Sequence, residues 1–526
     1  MSRVQQFGRC LLLLVIAGSI GTFCQHRGFA QARTGGAKRS RDLASFRKQL
    51  DERRQKFASA LEELARNCDE KDLPEAARGI RRLAVPLDPS EVQLRPLPRE
   101  VQPPLPADLP ADERYWQTQL KSHQQTFAKD LYALARQAVN AGHVSFAIDL
   151  IRETVIHDSD HLQARKILGF VRRGDEWLTV FENEMARSKK VWTDDFGWIP
   201  REHVDRYQRG ERPYRGAWIS AAKEAELRRS FDKAWEIRTE HYLVRTNHSQ
   251  ERGVDLAKKL EDFHGLFFQI MAGFFSTATD VEQLFAGGKA RPTVSKPNVV
   301  NFYRTRDEYL DALKNETKQP IEITRGIYFP RTGIAYFFYD PESDDDSTLY
   351  HEATHQLLSG SRPMTGEIGI KSDFWIIEGI ACYMESFRRE GDGFSVGNAR
   401  HQRLQAARIH FVDESYYVPL RDLTRMGMLA FQSIKKPEIA KNYSEGAALT
   451  HFFMHYDGGR YREALIEHLS QVYSPTKSVR EKPDSLEELT GVEFSELDRQ
   501  YGEYIRHLVP MTASESAPAG EGAVGP

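Results

Sequence analysis

Ser347 to Gly360 reads STLYHEATHQLLSG, and this stretch decides how the rest of the chain is understood. On a helix, residues four apart share a face, so His351 and His355 can direct both imidazoles at one ion. Glu352 sits one position round, within reach of a water held there. Asp346, Ser347 or Thr348 is expected to cap the helix start, and Gly360 to end it. The four defining letters of HExxH arise readily by chance, and a solvated helix with two histidines explains them equally well. The decision therefore rests on residues further along the chain.

A catalytic zinc takes three protein ligands and keeps one position open. Downstream, SDFWIIEGIACYMES starts with a capping Ser372 or Asp373 and continues as a helix carrying Glu378. The 22 residues from Gln356 to Ile377 leave room for a helix end, a loop and a helix returning antiparallel. Among Trp375, Ile376, Ile377 and Ile380, a carboxylate is costly unless it is paired or bound to metal. The bland alternative for Glu378 is a partly buried structural acid. Gly379 beside it lets helices approach closely. A second pair at the same spacing, His451 and His455 in HFFMHY, has no comparable acid after it, and its aromatic neighbours suggest helix packing.

HEATH followed by FWIIEGIACYME resembles the glutamate-zincin metallopeptidases, and most of all their one-zinc aminopeptidase branch. Trp375, Glu378, Gly379, Ala381, Tyr383 and Glu385 fill that branch's second-helix pattern, and NYSEGAALTHFF is similar to its later helix start. The resemblance spans about residues 235 to 508. It implies Zn2+ held by His351, His355 and Glu378, with Glu352 as general base and Tyr443 as donor to the oxyanion. Glu385 would orient a ligand histidine from behind. Two features depart from the family. The loop before the third ligand is longer than usual, and the G-x-M-E-N segment that anchors a substrate's amino group is missing. GIAYFF, 333–338, stands in the comparable place, so aminopeptidase specificity does not carry over, although a substrate-lining edge strand can.

The chain around this core has 526 residues, with 73 basic and 75 acidic side chains and a formal net charge of -2. That length suggests several domains, and that balance gives no reason to expect nucleic acid as a partner. Residues 1–32 read as a signal peptide: Arg3 and Arg9, then CLLLLVIAGSIGTF, then small residues at Ala30 and Ala32. The expectation is an exported protein (periplasmic, cell-envelope or secreted) with no stable membrane span once the leader is removed. Cysteines stand at 10, 24, 68 and 382, so no disulfide scaffold is implied. DPESDDDS, 340–347, lacks calcium-loop grammar and reads as a solvated loop whose charge favours the next helix's N-terminus.

Residues 33–84 show helical periodicity, and 85–112 carry prolines too densely for a helix, as a linker or extended strap would. From 113 to 234 a helical, repeat-like region and a connector are expected. Leu168 and Gly169 follow Leu134 and Ala135 by 34 residues, which resembles a tetratricopeptide unit; an ordinary helical hairpin explains it equally. From 235 to 510 the pattern is α+β, a small mixed sheet followed by mainly helical sequence, as a zincin-type domain would have, and 511–526 is a polar tail. The resulting expectation is an exported zinc hydrolase cleaving peptide or protein substrates, with N-terminal helices available to a protein partner. The alternative is a non-catalytic partner-binding protein whose zincin-like domain is a structural body.

Overall fold

A computed structural model describes residues 36–84, 91–288, 296–314, 316–317, 324–362, 368–391, 393–432 and 438–509. The expected leader (1–32), the first residues of the proline-rich stretch and the tail lie outside these. The fold is mixed α/β, with helices outweighing small sheets, in agreement with the α+β expectation.

Helices Gly36–Glu70, Pro74–Leu83, Ala111–Asn140 and Val144–His157 pack into a helical layer. Leu61, Ala65, Leu131, Leu134, Ala138 and Ile151 are fully buried in its core, and Phe57 stacks on Phe127 at 4.4 Å. Leu168 caps a six-residue helix, Leu162–Ile167, and Gly169 turns at φ +82° into a hairpin. The 34-residue spacing is therefore not followed by a second helical pair. The proline-rich stretch runs as a strap: Val92–Leu94 pairs antiparallel with Gly393–Val396, and Arg388 grips Glu91 at 2.8 and 3.0 Å.

The aromatic connector is a short array of three hairpin–helix units. Its hairpins pair Phe170–Arg173 with Glu176–Thr179, Lys190–Thr193 with Gly197–Pro200, and Glu211–Tyr214 with Ala217–Ser220. Each second strand carries one tryptophan, Trp177, Trp198 or Trp218, packed on a residue of the preceding helical turn. Trp177 takes Arg165, Trp198 takes Phe181, and Trp218 takes His203 and Arg206. Trp235 continues the series against Arg228, which brings the array to the edge of the main sheet.

That sheet has five strands, β1 (Trp235–Arg238), β2 (Tyr242–Thr246), β3 (Asn298–Tyr303), β4 (Gly326–Phe329) and β5 (Ile334–Phe338), in the order β4-β5-β3-β2-β1. The three inner strands are parallel and both edges antiparallel. Between β2 and β3 runs α1, Gln250–Ile270, an amphipathic helix whose Leu260, Phe263 and Phe267 are fully buried. After β5 come α2 (Ser347–Gly360), α3 (Phe374–Met384), α4 (Gln402–Val412), α5 (Met428–Gln432) and α6 (Glu438–Gly459). Helical geometry in α6 breaks from Tyr456 to Gly458. Among the described residues no helix is long and apolar enough to cross a membrane.

The close approach expected at Gly379 is present, between α3 and α6. A Cβ there would lie 2.6 Å from the Gly446 carbonyl oxygen and 2.7 Å from the Thr450 hydroxyl. Backbone cannot yield as a flexible side chain does. Gly379→Ala should therefore separate the two helices and cost roughly 2 kcal/mol of stability, measurable by denaturant unfolding. An unchanged midpoint would contradict this contact.

His451, buried in α6, donates to the Gly397 carbonyl at 2.9 Å and accepts from the Tyr504 hydroxyl at 2.7 Å. Burial pushes its pKa down to about 4, against the pull of the Gly397 bond. An unfolded histidine titrates near 6.5, so the folded state resists a proton that the unfolded state accepts. Stability from this residue is complete above that pH and is lost as pH falls toward 4, by about 3 kcal/mol. Urea melts at several pH values should show a shallower acid slope in His451→Gln than in the parent.

Candidate metal centre

The helix that carries HEATH is held from three sides. At its start the N-cap residue is Asp346, one of those expected, though its side chain makes no capping bond; Asp345 accepts from the Ser347 amide (2.9 Å) and hydroxyl (2.8 Å). Asp346 pairs with Lys259 and Asp340 with Arg325, so the acidic loop spends its carboxylates on the protein itself. Leu349, Tyr350, Ala353, Leu357 and Leu358 bury one face. Gln356 donates to the carbonyls of Val299 (2.9 Å) and Gly333 (3.0 Å), tying α2 to β3 and to the turn before β5.

With α2 fixed, His351 and His355 converge, their Nε2 atoms 3.2 Å apart. Glu378 arrives from α3 with Oε2 3.5 Å from His351 Nε2 and 3.7 Å from His355 Nε2. Metal–ligand distances near 2.0–2.1 Å in a tetrahedral shell put neighbouring ligands about 3.4 Å apart. The three donors already have that spacing. Behind them, His351 Nδ1 lies 2.9 Å from Glu385, which Arg403 grips at 2.8 and 3.0 Å. The Nδ1 proton is directed to Glu385, which leaves the Nε2 lone pair for an ion. Cys382, a free buried thiol, lies 4.0 Å from the same Nδ1.

Charge points the same way. Burial works against ionised Glu378, yet His355 and His351 hold it well below the usual carboxylate range. Burial likewise opposes Glu385, but Arg403 and His351 hold it at about 2. Burial disfavours charge on His351, and Cys382, Glu378 and Glu385 still push its pKa well up. Two ionised carboxylates in an apolar setting demand positive charge among the imidazoles. A bound cation meets that demand, so the donor set fits a divalent metal.

No protein-family model matches the chain, and no curated protein matches it. The site thus stands on its geometry.

Glu352, also buried, does not point with the three donors. Its Oε2 accepts from the Tyr328 amide at 2.8 Å, and burial raises its pKa against the pull of the two histidines. Tyr328 belongs to β4, the sheet edge beside α2. The segment 333–338, expected to line the substrate, is the second strand in, and Gly326–Phe329 holds the edge instead. Tyr443 comes from α6, brought beside α3 by the Gly379–Gly446 contact. Its hydroxyl accepts from Gln432 at 3.0 Å, and burial, then the Glu378 charge, pushes its pKa well up.

Asp373 stands before α3 at φ +60° without capping it. Its carboxylate instead meets His468 at 3.0 Å, which fixes where the Glu378 helix begins. The other histidine groups are structural. His455 bonds to the Tyr383 hydroxyl, and His451 is engaged at both nitrogens. His241 and His264, near Glu261, stack face to face at 3.6 Å and 18°, so their in-plane lone pairs run parallel and cannot converge on one ion.

Arg403, the Tyr328 amide and Gln432 escape sequence reasoning. Arg403 follows Glu385 by 18 residues with no local pattern, and a backbone amide carries no residue signal at all. Glu385→Gln, which cannot hold His351 as a charged acceptor, should weaken metal affinity about 10- to 100-fold in chelator competition. Parent-like affinity would show that Glu385 does not orient the ligand.

Proposed function

We propose that this chain is a zinc-dependent hydrolase of the glutamate-zincin type, acting on peptide bonds, and that it works outside the cytoplasm. The observation that carries the proposal is the convergence of His351, His355 and Glu378 at tetrahedral spacing, with a buried acid on one side and a buried phenol on the other. A structural site would need neither Glu352 nor Tyr443.

When bound, zinc supplies Lewis acidity and makes water more acidic. The chain's own residues supply the rest. Glu352 has one oxygen fixed by the Tyr328 amide, so Oε1 is the atom that takes the proton from the attacking water and returns it to the leaving amine. Its raised pKa suits that exchange, because a base that is too weak would not accept the proton. Tyr443, held protonated by burial, donates to the carbonyl oxygen as negative charge develops there. Glu385, gripped by Arg403, fixes the His351 ring with Nε2 toward Glu378 and His355.

The antiparallel edge strand β4 supports a peptide substrate. Its Tyr328 amide is turned away from β5 toward Glu352, so this edge of the sheet runs beside the base. An extended peptide can add to such an edge through main-chain hydrogen bonds, whatever its sequence. The opposite edge, β1, is met by the hairpin–helix array through Trp235.

The test is a quenched-fluorescence peptide library presented to the zinc-loaded chain, with Glu352→Gln beside it. Glu352→Gln should keep its metal and lose roughly 100- to 10,000-fold in turnover. Equal rates in the two proteins would remove Glu352 from the chemistry.

A further inference from the structure

The reading of Tyr443 as oxyanion donor leaves open what decides the direction of its proton. A phenol hydroxyl lies in the plane of its ring and has two orientations there, so the same tyrosine can point a donor at the reacting carbonyl or away from it. Four observations bear on the choice. Gln432 donates its side-chain amide to the Tyr443 oxygen at 3.0 Å. Phe431, its neighbour on α5, packs edge-on against the Tyr443 ring at 5.3 Å and 70°, which holds the ring plane. Asn442, preceding Tyr443, donates to the Phe431 carbonyl at 2.9 Å, and the Tyr416 hydroxyl donates to Asn442 in turn. The first residue of α5 is tied down by the Met428 amide donating to the Gly369 carbonyl at 2.9 Å. The short helix and the start of the tyrosine helix are thereby locked to one another.

We propose that Gln432 is a positioning residue that sets the direction in which Tyr443 presents its hydroxyl proton. The proposal rests on the hydrolase reading of the site. Because the Gln432 amide donates to one lone pair of the phenol oxygen, the hydroxyl hydrogen points away from Gln432. A donor to the oxygen also polarises the O–H bond and makes it a stronger donor in its own right. Tyr443 is 2% exposed, so water does not compete freely for that orientation. Gln432 touches no reacting atom in this scheme; it acts through Tyr443.

The experiment compares Gln432→Met with Gln432→Glu, each alone and in a Tyr443→Phe background, on quenched-fluorescence peptides with the zinc-loaded chain. Metal stoichiometry and circular dichroism check that each variant is folded. Methionine removes the donor and should lower kcat about tenfold with KM unchanged. Glutamate has nearly the same shape but at neutral pH only accepts, so it turns the tyrosine proton toward itself and should cost about 100-fold. In Tyr443→Phe both effects should vanish. A Glu variant as active as the parent, or less impaired than the Met variant, would overturn the proposal, as would losses that persist undiminished without the tyrosine hydroxyl. In those cases the hydrolase reading stands if Glu352→Gln still abolishes turnover. A metal-loaded parent with no turnover overturns that reading, and this proposal with it.

Discussion

Glu378 and Glu385 are both buried, both ionised, and both aimed at His351, and the structure around them follows from that excess of negative charge. A lone buried carboxylate costs several kcal/mol, and two close together cost more unless something positive stands between them. Arg403 answers for Glu385 with a two-point grip. Among the described residues Glu378 pairs with the two imidazoles. A divalent ion bound there would balance that charge.

Contacts between elements bring these groups together. Gln356 pins α2 to the sheet, Asp373 and His468 fix where α3 begins, and Gly379 lets α6 come near enough for Tyr443 to stand beside Glu378. The N-terminal helical layer joins the same body. Arg47 reaches the Gly459 carbonyl at the end of α6, Arg462 pairs with Asp149, and Glu463 accepts from the Phe146 amide at 2.9 Å to cap a helix of that layer. The described residues from Gly36 onward form one compact unit. Arg47, Asp149 and the Phe146 amide of that layer thus make polar contacts with the rest of the protein.

What was legible in the sequence were side chains whose spacing has a fixed meaning. HEATH places two imidazoles on one face, and an acid in an apolar helix after 22 intervening residues has few reasons to be there. Strands and helices from 235 onward also follow their periodicity. What stayed hidden depends on the third dimension. The Tyr328 amide lacks any side-chain signature, and Arg403 and Gln432 reach their partners across helix contacts. The hairpin–helix array left a faint trace, with W-L-T, W-I-P and W-I-S at 177, 198 and 218, spaced by 21 and 20 residues. Its first strands share too little for the period to stand out. The 34-residue spacing ends at Gly169, which turns the chain into a hairpin, so no second helical pair follows the match.

The central claim is a metal held by two imidazoles and one carboxylate, and the zinc X-ray absorption spectrum of the reconstituted chain tests it most directly. One zinc per chain, with imidazole scattering from two histidines, oxygen neighbours near 2.0–2.1 Å and no sulfur, is the expected result. A sulfur neighbour near 2.3 Å would place the ion on Cys382 instead. That outcome, or an ion that fails to bind at all, would contradict the account.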